Sequence, residues 1–264
     1  MNTKVKILIS LSSLEDLNYP VDGYVIGYDK FSLFANEYFS FEEIKDIKKK
    51  NQIYILFNAL INEERLEEVI FEINRLIPLG FNFIVSDVGL LELIKERSKD
   101  NIIIYQPYTL ISNRLDYQTY QELLCENLGI SPFIKEDDLI ELSSLKGSFI
   151  TALGYLPLYQ SHRKIISTYL DYHHLNLNDK KLYLKEEFRD DLYPIVENFE
   201  GSSIFKSSPI SLLSNINKYK ASFIYLDFTF LNDFKRDVID ALSSNDLNRL
   251  KELENKMGVK NETY

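Results

Sequence analysis

The chain has 264 residues, of which 45% are hydrophobic, and its formal net charge at pH 7 is −10. This length and apolar content suit one large α/β domain, and we expect residues 1–264 to form a single barrel domain. The acidic balance argues against a protein that wraps nucleic acid by itself, because phosphate contacts need clustered Lys and Arg. The only cysteine, Cys125, excludes an intrachain disulfide and a metal site built from four of the chain's own thiolates.

The hydropathy of the chain predicts no membrane segment. No apolar run reaches the roughly 18 residues that a spanning helix needs. The first residues, MNTKVKILISLSS, have too short an apolar core and too weak a cleavage site for a signal peptide. We therefore expect a cytoplasmic protein without a membrane partner.

Short runs rich in β-branched and aromatic residues recur along the chain and predict strands. There are eight such runs, at 5–9, 23–28, 52–58, 82–86, 102–106, 131–134, 148–154 and 222–228. Segments with helical periodicity separate them, at 39–50, 62–80, 88–98, 116–129 and 135–147, and two more follow the last run, at 232–244 and 246–258. This alternation predicts a mostly parallel sheet, and eight units favour a closed (β/α)8 TIM-barrel-like fold over an open sheet.

The segment between Tyr172 and Asn215 interrupts this alternation. Its apolar residues alternate with polar ones, and Glu200-Gly201 is typical of a turn. We therefore predict a small antiparallel hairpin, inserted near 180–206 ahead of the last strand.

Candidate functional residues follow the predicted strands, because parallel barrels collect their functional groups at the carboxyl ends of the strands. Asn58 could bind a polar ligand or cap the next turn. Asp87 could act as a general base or bind substrate hydroxyls, or it could cap the helix that begins at Val88. Further along, the residues to inspect include the substrate-binding candidates Thr109, Asn113, Lys135 and Glu136, and also Asp227.

The stretch 154–170, GYLPLYQSHRKIISTYL, places charged and hydroxyl side chains directly after a predicted strand. Arg163 could anchor a phosphate or carboxylate through its bidentate fork. The alternative is a charged start to the helix 163–170, but cations are unfavourable at a helix N-terminus, which favours a functional role for Arg163. Lys164, Ser167 and Tyr169 are substrate-binding candidates in the same segment.

The remaining motifs do not predict a metal site or a known catalytic set. Three histidines lie at 162, 173 and 174, but neighbours in an extended segment point to opposite faces, which disfavours a shared metal ion. The chain has no GxGxxG or Walker loop and no HExxH or GxSxG motif. A protease needs an activated nucleophile, a metal-bound water or a carboxylate dyad, and the sequence offers no convincing set.

Several segments, taken in order, resemble those of peptidase family U32, the collagenase-like peptidases. Segment 23–47 resembles the family's early strand and Ser/Phe-rich loop, and 57–69 its asparagine-bearing third strand. The other similar segments are the strand ending in Asp (83–96), the strand bearing Thr and Asn (102–113), the segment after the seventh strand (154–170) and the hairpin (191–205). The resemblance covers most of the chain.

The departures from the family determine what the resemblance implies. Cluster-bearing members place cysteines after the seventh strand and again shortly downstream, where this chain has Pro157 and Lys164. The chain is therefore similar to the smaller subunit of paired proteins that hydroxylate the tRNA wobble uridine. This implies no cofactor on this chain, an iron–sulfur cluster in a longer U32-family partner, and tRNA contact through the complex. The alternatives are a peptidase or collagenase-like hydrolase and a non-catalytic binding scaffold.

Overall fold

Eight parallel strands close into a barrel, in a computed structural model that describes residues 5–98, 100–176 and 182–260. The barrel strands are β1 (Lys6–Ser10), β2 (Gly23–Tyr28), β4 (Ile53–Phe57), β5 (Asn82–Val85), β6 (Ile103–Tyr105), β7 (Asn127–Gly129), β8 (Ser148–Gly154) and β14 (Phe223–Leu226). Their order around the barrel is β1, β14, β8, β7, β6, β5, β4 and β2, and β2 pairs with β1 to close the barrel. The predicted barrel fold is confirmed.

Helices follow most of the barrel strands and, with one exception, pack around the barrel. They are α1 (Phe41–Ile44), α2 (Leu66–Leu76), α3 (Val88–Arg97), α4 (Arg114–Leu123), α5 (Glu136–Ser143), α6 (Ile165–His173), α7 (Lys235–Ser243) and α8 (Leu247–Lys256). The exception is α6, which contacts the antiparallel sheet described below. The predicted start of the first helix at Ser40 is confirmed, and the Ser40 amide donates to Glu43 Oε2 at 2.8 Å. Within the described ranges, no helix combines the length and the apolar character of a membrane span.

The barrel strands are buried on both faces, which explains why they are continuous apolar runs. In β4, for example, all five residues are buried. Leu56 belongs to a cluster made almost entirely of strand residues, which fills the inside of the barrel, whereas Ile55 and Phe57 pack with residues of the helices. Successive strand side chains point to opposite faces, so one run supplies both layers.

The prediction of the sixth barrel strand at 131–134 is wrong, since β7 is Asn127–Gly129. The helix predicted over 116–129 ends earlier, because α4 stops at Leu123. A three-residue strand without a β-branched side chain has too little pattern to compete with the helical periodicity that precedes it. Cys125 lies in the connection before β7, half-buried, with its thiol 3.2 Å from the Asn127 carbonyl oxygen.

A second, antiparallel sheet of four strands lies between β8 and β14 in the chain. Its order is β10 (Leu182–Lys185), β11 (Leu192–Asn198), β12 (Gly201–Phe205) and β9 (Pro157–Ser161). The predicted hairpin near 180–206 is confirmed as β11 and β12, with Phe199-Glu200 as the connecting residues; positions 180 and 181 lie outside the described residues. The two short remaining strands are β3 (Tyr38–Phe39) on β2 and β13 (Ile210–Ser211) on β8.

The antiparallel sheet is anchored to the barrel by the turn between β11 and β12. Glu200, which is 4% exposed, forms an ion pair with Arg65 ahead of α2. The Arg65 guanidinium also lies over the rings of Phe31 and Phe199, at 5.1 and 5.7 Å. Asn198 Nδ2 donates to the main-chain oxygens of residues 32 and 33, at 2.9 and 3.1 Å. The sheet is thereby held against the loop that follows β2, at the carboxyl ends of the barrel strands.

Candidate functional site

A cleft of about 290 Å³ lies between the carboxyl ends of β4, β5 and β6 and the strand β9. Its walls are the ends of the barrel strands on one side and the antiparallel sheet on the other. The lining residues are Asn58, Ala59, Leu60, Ser86, Asp87, Pro107, Tyr108, Thr109, Pro157, Leu158, Tyr159 and Gln160. Three residues predicted from the sequence, Asn58, Asp87 and Thr109, therefore meet in one place.

Asn58 uses its side-chain amide to hold the loop after β2. Its Oδ1 accepts from the Leu33 amide at 2.9 Å, and its Nδ2 donates to the Phe34 carbonyl oxygen at 2.9 Å. Asn58 is 2% exposed, so these hydrogen bonds form out of contact with water. Both ends of the amide are engaged, and the residue shapes the cleft by fixing the backbone beside it.

Asp87 occupies the N-cap position of α3, in agreement with the prediction that it could cap the helix that begins at Val88. Its Oδ1 accepts from the Leu90 amide at 2.8 Å. Its Oδ2 has no hydrogen bond to another described residue, and the side chain lines the cleft. One carboxylate oxygen thus stabilises the helix, and the other is available to a bound molecule.

A buried carboxyl group, Asp227, lies directly after β14, close to Tyr108 of the cleft wall. Its Oδ1 accepts from the Thr229 amide at 2.9 Å and from the Thr229 hydroxyl at 2.6 Å. Burial raises the pKa of Asp227, and hydrogen bonds from Thr229, Ser10 and Tyr225 offset part of this effect. Burial also raises the pKa of Tyr108, and the charge of Asp227 adds to that shift. Asp227 thus retains its proton to a higher pH than an exposed aspartate.

The end of β8 approaches Asp227 so closely that only glycine fits at position 154. Gly154 has φ of +142°, and a Cβ built on it would lie 2.8 Å from the Cβ of Asp227. Gly129 in β7 has a similar role, because a Cβ there would lie 1.9 Å from Gln106 Oε1. Both glycines give room to a polar side chain at the carboxyl end of the barrel.

An aromatic plug closes the rest of this end of the barrel; we define it as Phe34, Tyr108, Tyr155, Phe205 and Phe230. The Phe205 ring lies 5.2 Å from the Phe34 ring and 5.4 Å from the Phe230 ring, both edge to face. Tyr155 contacts Phe230 at 5.5 Å, and Tyr108 contacts Phe34 at 5.9 Å. Phe205 belongs to β12, so the antiparallel sheet supplies part of the plug as well as one wall of the cleft.

Several buried polar atoms around the cleft have no hydrogen-bond partner among the described residues. They include Ser86 Oγ, Gln106 Nε2, Gln160 Nε2 and Ser203 Oγ. Gln106 is 2% exposed and Ser203 is fully buried. Ser203 lies directly opposite Gln160 on the neighbouring strand, so both side chains are on the same face of the sheet. Buried polar atoms are normally hydrogen-bonded, so these four are exceptions, and two of their residues, Ser86 and Gln160, line the cleft.

The predicted residues after β9 lie on α6 and its N-terminus, outside the cleft lining. The carboxylate of Glu197 accepts from the Ile166 and Ser167 amides, at 2.7 and 3.0 Å, and also from the Ser167 hydroxyl. Burial alone would raise the pKa of Glu197, but its hydrogen bonds outweigh burial and lower it. The positive end of the α6 dipole thus already holds a carboxylate of this chain. Arg163 and Lys164 are exposed and form no ion pair with another described residue.

Three further predicted residues lie at the starts of helices, away from the cleft lining. Asn113 caps α4, with its Oδ1 accepting from the Asp116 amide at 2.9 Å. Lys135 directly precedes α5, and Glu136 forms an ion pair with Lys218 at 3.0 Å. The structure therefore groups Asn58, Asp87 and Thr109, and leaves outside the cleft lining Asn113, Lys135, Glu136, Arg163, Lys164, Ser167 and Tyr169.

Among the described residues, no group of side chains resembles the ligand set of an iron–sulfur cluster. Cys125 lies before β7, at the amino ends of the barrel strands, and burial raises the pKa of its thiol, which disfavours the thiolate that binds iron. Pro157, at a position where the resemblance places a cysteine in cluster-bearing proteins, lines the cleft. Across the described ranges, no three His, Cys, Asp or Glu side chains are grouped as metal ligands would be.

Comparison with known proteins gives a family and a fold. The sequence model of peptidase family U32 matches residues 12–218. The solved structure of the U32 peptidase Mk0906 aligns with a TM-score of 0.50 at 10% sequence identity, and the alignment covers 86% of this chain and 94% of that chain. At this identity the likeness shows a shared fold. No curated protein matches the sequence.

Proposed function

Because this chain belongs to peptidase family U32, we propose that it is a subunit that supports hydroxylation of the tRNA wobble uridine, together with a longer, cysteine-bearing U32 protein. In this proposal the partner holds the iron–sulfur cluster, since Cys125 is the only cysteine of this chain. The tRNA is bound by the complex of the two proteins. A cationic partner would offset the formal charge of −10 that this subunit carries.

The observation that carries the proposal is the exposed surface of α6. Tyr169 and Tyr172 are 56% and 79% exposed, and His173 contacts both rings, at 4.4 and 4.9 Å between ring centres. Arg163 and Lys164 precede the same helix and are exposed. Exposed aromatic rings stack on unpaired bases, and unpaired cations bind phosphates. This surface therefore combines the two contacts that a single-stranded RNA loop requires.

The test is deletion of the gene, followed by mass spectrometry of the tRNA nucleosides. We expect wobble hydroxyuridine to fall and the wild-type gene to restore it. A gene carrying Arg163→Ala, Lys164→Ala and Tyr172→Ala should restore it poorly, whereas the charge-matched control Lys251→Ala with Lys256→Ala on α8 should restore it fully. Unchanged wobble hydroxyuridine after the deletion would exclude this function.

A second candidate function, hydrolysis of peptides, is favoured by the position of Asp227 behind Tyr108 of the cleft wall. A general acid needs a carboxyl group whose pKa is raised, and burial shifts the pKa of Asp227 in that direction. Its neighbour Tyr108 lines the cleft, and the structurally similar protein Mk0906 is described as a peptidase. Cleavage of gelatin or peptides by the purified protein, lost in Asp87→Ala and in Asp227→Asn, would establish this function. Copurification with another protein, without a tRNA phenotype or cleavage, would favour a binding scaffold.

A further inference from the structure

The strand β9 is at the edge of the antiparallel sheet. It pairs with β12, through Ser161 opposite Ser202 and Tyr159 opposite Ile204. Within the described ranges, no strand pairs with its other side. Every second N–H and C=O of an edge strand points away from its neighbour, so β9 presents unpaired main-chain groups.

The strand β9 forms one wall of the cleft. Four consecutive residues, Pro157 to Gln160, line it. Successive side chains of a strand point to opposite faces, so a cavity beneath one face would be lined by alternate residues only. A lining of four consecutive residues fits a cleft that runs along the free edge of the strand.

Residues on both walls carry polar groups that lack partners. Ser86 at the end of β5 and Gln160 on β9 line the cleft, and their Oγ and Nε2 atoms are buried without a hydrogen bond to a described residue. Gln106, which is 2% exposed, also has an Nε2 atom without a partner among the described residues. Its Oε1 accepts from the Tyr108 amide at 3.4 Å. An unsatisfied buried donor is unfavourable, and a rotation of the side chain towards the cleft would let a ligand that supplies an acceptor satisfy it.

We propose that an extended segment of another protein binds in the cleft as an additional strand along β9. Its main chain forms hydrogen bonds with the free edge, and its carbonyl groups accept from the unpartnered side chains. This inference does not depend on the proposed role in tRNA hydroxylation.

The lining also selects the side chains of the bound segment. Asp87 is the only Asp, Glu, Lys or Arg among the lining residues, and its free Oδ2 favours a Lys or Arg on the segment. Leu60, Leu158 and Tyr159 line the cleft while 46%, 52% and 41% exposed, and apolar side chains of the segment would cover them. A nucleic acid is disfavoured, because the lining has no Lys or Arg to neutralise a phosphate.

The experiment begins with selection from a displayed library of random peptides of about nine residues, using the full-length protein as bait. We expect selected peptides to alternate apolar residues with Lys or Arg, and to shift the amide resonances of residues 158–161 in NMR spectra. Every second amide of the bound peptide faces β9. Methylation of one of these amides should weaken binding roughly tenfold for each hydrogen bond lost, whereas methylation of an amide that points away from β9 should have little effect.

Two protein variants test the predicted contacts. Asp87→Asn should reduce the preference for Lys over Glu at one peptide position by about tenfold, and Gln160→Ala should weaken all selected peptides. Leu192→Ala, which changes an exposed apolar residue of the same sheet outside the cleft lining, is the control and should leave affinity unchanged. Thermal unfolding verifies that each variant is folded.

Three results would overturn the proposal. The first is a selection that gives no peptide with a dissociation constant below about 1 mM. The second is equal binding of both sets of methylated peptides. The third is displacement of bound peptide by a uridine-rich oligonucleotide with shifts at residues 158–161, which would assign the cleft to nucleic acid.

Discussion

The replacement Asn58→Ala separates a structural from a catalytic role for this residue. The side-chain amide of Asn58 joins the end of β4 to the loop after β2, through the Leu33 amide and the Phe34 carbonyl group. Alanine removes both hydrogen bonds and leaves both main-chain groups without these partners. Leu33 and Phe34 are 1% and 3% exposed, so water does not replace the lost bonds without some opening of the loop.

The expected loss of stability follows from these two main-chain groups. Each buried group without a partner costs about 1–3 kcal/mol. Partial opening of the loop admits water and recovers some of this cost, so we expect the free energy of unfolding to fall by about 2–4 kcal/mol. The loop carries Phe34 of the aromatic plug, which contacts Phe205 and Tyr108. Loosening of the loop should therefore also change the cleft.

Urea denaturation followed by circular dichroism measures this loss. The control is Asn113→Ala, which removes an exposed helix cap worth about 1 kcal/mol. The same variants should be compared for peptide binding and for restoration of wobble hydroxyuridine. If Asn58→Ala costs no more stability than the control, the two hydrogen bonds do not hold the loop, and the structural interpretation of Asn58 is wrong.

Three further predictions follow from buried or capped charges. Lys235→Met should lower the free energy of unfolding by about 3–5 kcal/mol, because Asp16, its partner at 2.7 Å, stays buried without a cation. Burial opposes the ionisation of Glu72, but hydrogen bonds from a lysine and a tyrosine outweigh it and lower its pKa below the ordinary 4.5. The ionised Glu72 therefore stabilises the folded protein fully above pH 4.5, and this stabilisation is lost as the pH falls through the pKa of the folded state. Between neutral and acid pH, the free energy of unfolding should fall less in Glu72→Gln than in the wild type. Glu197→Ala should speed hydrogen exchange at the Ile166 amide several-fold relative to the β-barrel amides.

Each of these predictions has an outcome that contradicts it. Full stability of Lys235→Met would mean that Asp16 finds another partner, and adding Asp16→Asn should recover part of the expected loss. Equal acid sensitivity of the wild type and Glu72→Gln would assign the acid transition to other carboxyl groups. Unchanged exchange at Ile166 would show that the Glu197 carboxylate does not cap α6, with Glu186→Ala, an exposed substitution elsewhere, as the control.

The sequence predicted the barrel well, because most barrel strands are buried on both faces and are therefore continuous apolar runs. The exception is β7, whose three residues carry too little pattern. The antiparallel sheet was predicted only as the local hairpin of β11 and β12. β9 was missed as a strand because its partner β12 lies some forty residues downstream, and a pairing at that distance leaves no periodicity in the sequence.

Site residues near the ends of barrel strands could be predicted from the sequence, whereas contacts between segments that are distant in the sequence could not. Asn58, Asp87 and Thr109 lie within four residues of the ends of β4, β5 and β6, where parallel barrels collect their functional groups. That the Asn58 amide is engaged by Leu33 and Phe34 depends on the packing of two loops, which no spacing reveals. Asp227 also follows a strand, but its importance comes from burial, which the sequence does not show. Gln160 lies in the stretch 154–170 that the sequence analysis singles out, but it was not named as a candidate, since β9 was not predicted as a strand.

The way the barrel closes has a consequence for how the chain is made. Lys6 at the start of β1 pairs with Phe223 in β14, so one edge of the first barrel strand stays unpaired until the last one is in place. During synthesis β1 and β8 therefore each keep an open edge until β14 emerges, and open edges invite pairing with other chains. Residues 12–218, which match the family, contain only six of the eight barrel strands. A fragment limited to these residues lacks β1 and β14 and cannot close the barrel. Protein expressed for the experiments above therefore has to include both of these strands.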